Sequence, residues 1–325
     1  MIYQGNKYTI ELDIVSDLKQ WAYDILTNAH FENVTEDRAL YQYCDMQLRL
    51  LEPKPRRILI SKEFVVPDNC HAGYNHFKAA VEEGKNLLPF MSKSVVDASF
   101  KDKMIFDWGL YHFHLSTERD ANDPRFMERS DFLLIAYVNP WHDETMHFLQ
   151  IRPHETSVWT EQELIRILAD NWPDVMEPYR IKGAASLSEN ISDEDYKKLR
   201  KSNVNTMVDL HDGRVYMGAN FGLNTAGTSA RAVMQHNMYT NNAVLFERTM
   251  GAAADDIGNA INKKLIEPET YFKLRMITPG DRDYLFEVEG KDFFLRFSIS
   301  GKRGKIIVGD SAGEPSTAYS YGSQR

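Results

Sequence analysis

The stretch Asp107-Trp108-Gly109-Leu110-Tyr111-His112-Phe113-His114-Leu115-Ser116 decides how this chain is read. In an extended strand successive side chains point to opposite faces, so His112 and His114 share one side while Tyr111, Phe113 and Leu115 share the other. Such a segment mounts a titratable face on a sheet whose reverse is buried. Five of the chain's ten histidines lie between Ile105 and His154. A later segment, Thr145-Met146-His147-Phe148-Leu149-Gln150-Ile151-Arg152-Pro153-His154, gives Arg152 and His154 a common parity. With the two segments side by side, one surface gathers three imidazoles and a guanidinium.

Between them, Asp131-Phe132-Leu133-Leu134-Ile135-Ala136-Tyr137-Val138 is apolar on both parities, as expected of a central strand covered on both faces. The turn Asn139-Pro140-Trp141-His142-Asp143 then reverses the chain, so the three segments read as an antiparallel meander with a longer first connection. Thr160-Glu161-Gln162-Glu163 has capping-box spacing in front of Leu164, Ile165, Ile167, Leu168 and Trp172. It predicts a helix that closes the unit before Pro173.

Toward the N-terminus, a short strand is expected over Lys7–Leu12. Helices follow through Ile14–Leu26 and Glu36–Leu51, the second stopped by Pro53 and Pro55. Arg57–Val66 reads as β and Tyr74–Leu88 as an amphipathic helix. Toward the C-terminus, Ser192-Asp193-Glu194-Asp195 opens a short charged helix, and His211-Asp212-Gly213 marks a hairpin between Val204–Asp209 and Arg214–Met217. A helical stretch over Thr228–Lys264 and four strands, Tyr271–Ile277, Tyr284–Glu289, Phe293–Ser300 and Lys305–Val308, complete the pattern. The fold class is therefore α+β. Residues 1–187 form a domain of helices, meander and closing helix, 188–310 a mixed helix and antiparallel-β domain, and 311–325 a disordered tail.

At 325 residues and 43% apolar content the chain can fill sizeable cores. Its formal net charge of −9 argues against a protein that coats nucleic acid through a general positive field, while leaving local sites open. Lys54, Arg56, Arg57 and Lys62 form one basic cluster, and Lys93, Lys101 and Lys103 precede the histidine strand. No run approaches the roughly 20 apolar residues that span a bilayer, and the first residues lack the pattern of a signal peptide. A cytoplasmic protein without a membrane partner is expected. Cys44 and Cys70 make neither a disulfide framework nor a zinc pattern and read as ordinary thiols.

Metal-free transesterification of RNA needs a base near the 2′-hydroxyl, an acid for the leaving 5′-oxygen and a cation for the phosphorane charge. Imidazoles, which titrate near neutrality, and an arginine supply all three. His112 and His114 are the candidates for base and acid, Arg152 for the cation and His154 as their assistant. Lys93, Lys103 and Arg129 are candidates for holding substrate backbone. On this reading no cofactor or metal takes part. His-x-His on a strand also suits a metal, with His154, His147 or Asp131 completing the set, and this is the main chemical rival. A third reading makes the same face a docking surface for a partner chain. Gly222-Leu223-Asn224-Thr225-Ala226-Gly227-Thr228-Ser229 lacks the lysine of a phosphate loop, so Thr228 or Ser229 is expected to cap the following helix.

Several blocks resemble those of a family of uncharacterised bacterial proteins. They include Lys54-Pro55-Arg56-Arg57, Glu83-Gly84-Lys85-Asn86-Leu87-Leu88-Pro89, Asp107-Trp108-Gly109 with His112-Phe113-His114-Leu115, Asn171-Trp172-Pro173, Asp212-Gly213-Arg214-Val215-Tyr216 and Thr225-Ala226-Gly227. Helices followed by a meander and a closing helix are also similar in element order to RelE-type toxins, whose members include metal-independent ribonucleases. That resemblance implies an endoribonuclease of toxin or phage-defence type, with RNA as substrate and an inhibitory protein as its partner. Oligomeric state is not legible.

Overall fold

The computed structural model describes residues 1–139, 142–155, 160–280, 283–300 and 303–309; the expected tail, 311–325, lies outside them. In chain order the elements begin β1 (Ile2–Gln4), β2 (Thr9–Glu11), α1 (Ile14–Asn28), α2 (Ala39–Arg49), β3 (Arg57–Ile60), α3 (His71–Glu82), α4 (Lys103–Trp108) and β4 (Leu110–His114). They continue β5 (Phe132–Asn139), β6 (His142–Pro153), α5 (Glu163–Asn171), α6 (Pro173–Met176), α7 (Asp193–Lys201), β7 (Val208–Asp209) and β8 (Val215–Tyr216). The last are α8 (Ala230–Ala252), α9 (Ala254–Asn262), β9 (Tyr271–Pro279), β10 (Asp283–Val288), β11 (Phe294–Ser300) and β12 (Arg303–Gly309). The class is α+β, and no described helix is long and apolar enough to cross a membrane.

The described residues form two compact units, one of Met1–Tyr43 with Met234–Gly309, the other of Cys44–Val233. This division differs from the expected boundary near 188. Residues 1–43 join the C-terminal sheet because β2 pairs in parallel with β9, Ile10 opposite Phe272. A parallel pairing between strands so distant in sequence leaves no local pattern to read. The segment from Ser188 to Val233 stays with the histidine strand, because Tyr196, Val208, Leu210, Tyr216 and Ala219 bury themselves against Trp108, Leu110 and α5.

In the first unit, six strands lie in the order β1-β2-β9-β10-β11-β12. Helix α1 packs on β9, and α9 on β2 and β12. The periodicity of α1 is that of its buried face, Ile14, Leu18, Ala22 and Leu26. Glu247, 2% exposed, takes Tyr3 Oη at 2.9 Å and the Ile14 amide at 3.0 Å, so a buried carboxylate satisfies the start of that helix. The expected helical stretch over Thr228–Lys264 consists of two helices, α8 and α9, meeting at Ala253.

The second unit holds the sheet β3-β6-β5-β4, with β4, β5 and β6 antiparallel as expected and β3 added in parallel to β6. Both faces are covered. On one, Tyr111 and Phe113 lie in the rows of Ala136 and Leu134, and Phe77 of α3 packs its ring 4.6 Å from that of Phe113. On the other, Leu110, Leu133, Ile135, Tyr137 and Leu149 pack beneath Leu164, Ile165 and Leu168 of α5.

Local corrections have local causes. Asp107 and Trp108 belong to α4 rather than to a strand: Asp102 Oδ1 accepts from the Met104 and Ile105 amides, and Gly109 at φ 71° turns the chain out into β4. Helix α3 ends at Glu82 because Gly84, at φ 73°, closes it with a bond to the Val81 carbonyl. Helix α5 begins after Gln162, later than the capping-box reading places its start, and the Gln162 amide and Nε2 both reach Asp193 Oδ1. Ser229, by contrast, accepts from the Ala232 amide at 3.3 Å and caps α8 as expected.

Candidate functional site

Register fixes the geometry of the histidine face. His112 pairs with Ile135 and Ile135 with Gln150; His114 pairs with Leu133 and Leu133 with Arg152. Directly paired residues point to the same face of a sheet. His112, His114 and Arg152 therefore share the face covered by α5, but Arg152 stands two strand spacings, about 10 Å, from His114. The face is not an open polar surface, since it runs straight into the hydrocarbon of Leu133 and Ile135. His114 is 3% exposed.

His154 completes the cluster from just beyond the end of β6. Its amide donates to the Asp131 carbonyl at 2.7 Å, which swings the ring back over the sheet margin. There it stacks on His114, centroids 5.6 Å apart and planes 16° apart. Exposed Arg129, from the connection between β4 and β5, brings Nη2 to 3.2 Å from His154 Nε2. A guanidinium can only donate, so Nε2 is the acceptor in this contact. Ser130 donates its amide to His114 Nδ1 at 3.4 Å. Asp102, besides capping α4, places Oδ2 4.0 Å from His112 Nδ1.

These neighbours set the charge states. Burial pushes His114 down to about 3, and the nearby His112, His154 and Arg129 push the same way. His112 is also lowered by burial, with Asp102 opposing and His154 and Arg129 adding to the shift. Both rings are neutral near pH 7 and can accept a proton from a bound hydroxyl. His114 cannot arrive charged as a general acid at that pH.

The other candidates are committed elsewhere. Arg152 pairs with Glu161 at 3.6 Å, and Lys93 with Asp120 at 2.7 Å. Lys103 donates to the carbonyls of Arg200 and Lys201 and to Asn203 Oδ1, so it caps the C-terminus of α7 rather than facing a substrate. Lys54 and Arg56 both hold Asp143, which pins β3 beside β6, and Lys101 holds buried Asp45. His147 lies in the row of Tyr137, edge-on to Trp172 at 4.7 Å, and burial lowers it to about 4. Among the described residues no three His, Cys, Asp or Glu side chains are grouped to hold a metal. Cys44 and Cys70 are both buried free thiols.

Two features escaped the sequence reading. Asp102 carries only the ordinary signal of a helix cap, and its place beside His112 follows from the turn at Gly109. The second is a buried ion pair, Asp107 with Arg200 at 2.8 Å, each about 5% exposed; Tyr196 Oη also donates to Asp107, and the guanidinium lies 4.1 Å over the Trp108 ring. No family model, curated protein or solved structure matches the chain.

Proposed function

We propose that the edge formed by His112, His114, His154 and Arg129 is the site of a metal-independent endoribonuclease of toxin or phage-defence type. The observation that carries the proposal is the stack of His154 on His114 with Arg129 at its rim, three segments meeting at one solvent-reachable margin. Neutral His112, its Nδ1 side facing Asp102, takes the proton of a ribose 2′-hydroxyl as that oxygen attacks phosphorus. Arg129 turns from His154 onto the phosphate and balances the phosphorane charge. His154, released from Arg129 and protonated from solvent, gives its proton to the 5′-oxygen as the P–O5′ bond breaks. The products are a 2′,3′-cyclic phosphate and a 5′-hydroxyl. His114 stays neutral and spaces the two working rings, so Arg129 replaces Arg152 in the phosphate role.

The antiparallel order β4-β5-β6 with α5 closing one face supports the likeness to RelE-type toxins, and the resemblance to the bacterial family belongs to the same reading. The burial of His114 favours a second reading, a docking edge for a protein partner. Incubation of the purified protein with total RNA in excess EDTA separates the two. Cleavage that survives chelation and falls at least a hundredfold in His112→Ala is expected. RNA left intact under every condition overturns the ribonuclease and leaves the docking edge.

A further inference from the structure

His114, Leu133 and Arg152 form the last row that crosses β4, β5 and β6, and Gln150 lies in the row just behind, with Ile135 and His112. Arg152 therefore ends the same sheet margin as the histidines, with Glu161 beside it. We infer that Arg152 and Glu161 read a guanine base, that of the nucleotide whose 2′-hydroxyl meets His112, so that RNA is cut on the 3′ side of guanosine. This deepens the ribonuclease reading of the histidine edge and rests on it.

The pair is only half engaged. Glu161 Oε2 stands 3.6 Å from Arg152 Nη2, too far for a hydrogen bond, and the two side chains are 24% and 33% exposed. Other arginines of this unit bond their carboxylates directly: Arg56 to Asp143 at 3.2 Å, Arg200 to Asp107 at 2.8 Å and Arg214 to Asp170 at 2.6 Å. Gln150 Oε1 and Arg152 Nε are shut away from water, and neither has a hydrogen-bond partner among the described residues. Buried polar atoms are nearly always bonded. Two orphans at successive positions on one face of β6 are thus hydrogen-bonding capacity that the chain does not use, and a bound group toward which the guanidinium turns would use it.

The chemistry of the pair selects the base. Along its Watson–Crick edge guanine presents one acceptor, O6, and then two donors, N1–H and N2–H. A guanidinium beside a carboxylate is the complement: a donor for O6 and two oxygens that accept from N1–H and N2–H. Adenine, cytosine and uracil each offer the carboxylate a single donor group on that edge, so each loses a bond. A site that hydrogen-bonds its substrate rejects an analogue that leaves one of its polar groups unpaired. The position fits as well, since Arg152 stands about 10 Å across the sheet from His114, the scale of one nucleotide from phosphate to base edge.

Two assays on the full chain test this: sequencing of the ends left in a random RNA pool cut in EDTA, and calorimetry with the 3′-monophosphates of the four nucleosides. Guanosine should carry the cyclic phosphate at least ten times as often as any other nucleoside, and guanosine 3′-monophosphate should bind at least tenfold tighter than the other three. In Glu161→Gln, whose folding circular dichroism would verify, both preferences should fall below threefold, because an amide has one accepting oxygen where the carboxylate has two. Cleavage with no preference for guanosine overturns the inference and leaves the ribonuclease standing. Intact RNA together with selective binding of guanosine 3′-monophosphate that Glu161→Gln abolishes keeps the guanine site and removes the ribonuclease. Selectivity in neither assay, or selectivity unchanged in Glu161→Gln, overturns the inference.

Discussion

Protonating His114 in the folded protein places a charge in a nearly closed site beside His112, His154 and Arg129, which is why its ring is held to about 3. The unfolded chain binds that proton near the ordinary histidine value of about 6.5. Between the two values the unfolded state carries more protons, so stability falls as pH drops from about 6.5 toward 3 and is complete above that window. His147, lowered to about 4, adds to the same slope. Urea midpoints measured from pH 7 to 4 should fall steadily, and His114→Gln should flatten part of the slope; a slope unchanged in that variant contradicts the assignment. The same side chain separates positioning from catalysis. His114→Gln should lower RNA cleavage less than tenfold, while His112→Ala removes a base and costs at least a hundredfold. The alternation that put His112 and His114 on one face was legible, because side-chain parity in a strand is strict. That the face leads into hydrocarbon was not, because only the arrival of α5 decides which side of a sheet sees water.

At the scale of elements, α4 and α7 are joined by the buried pair Asp107–Arg200. Removing one partner leaves the other charge buried, so Arg200→Ala should lower stability by about 3–5 kcal/mol in urea denaturation. A loss under about 1 kcal/mol would show that the pair is not holding α7. Gly109 ends α4 in the left-handed region at φ 71°, where a side chain is strained. Gly109→Ala should cost about 1 kcal/mol or slightly more, seen as a small fall in Tm. The strands of the meander and the four C-terminal strands were readable from apolar runs broken by Gly, Pro and Asp. The helix over 103–108 was not, since six residues are too few to show a period, and its boundaries come from Asp102 and Gly109. Lys103 shows the same limit for chemistry: a lysine before a histidine strand is indistinguishable, by sequence, from one that caps a helix about a hundred residues later.

Across the whole molecule, the pairing of β2 with β9 ties the beginning of the chain to its C-terminal sheet. Deleting residues 1–12 should strip hydrogen-exchange protection from Phe272 and Leu274, whose amides face β2, while the amides of β5 keep theirs; protection retained at these two would contradict this pairing. The domain boundary expected near 188 came from a run of charge, yet Tyr196 and Arg200 within that run are buried, and their alternation with lysines is that of a helix with one face inside. The candidate site was half legible for the same reason. His112, His114 and His154 stood out by type and spacing, whereas the partners that set their roles, Asp102 and the rim contact of Arg129, depend on where two connections return. The most direct measurement of the central proposal is the chemistry of the RNA ends after incubation with the protein in EDTA. The account predicts 2′,3′-cyclic phosphates and 5′-hydroxyls, absent with His112→Ala and with His154→Ala. Undegraded RNA, or 5′-phosphate ends that vanish on chelation, would contradict it.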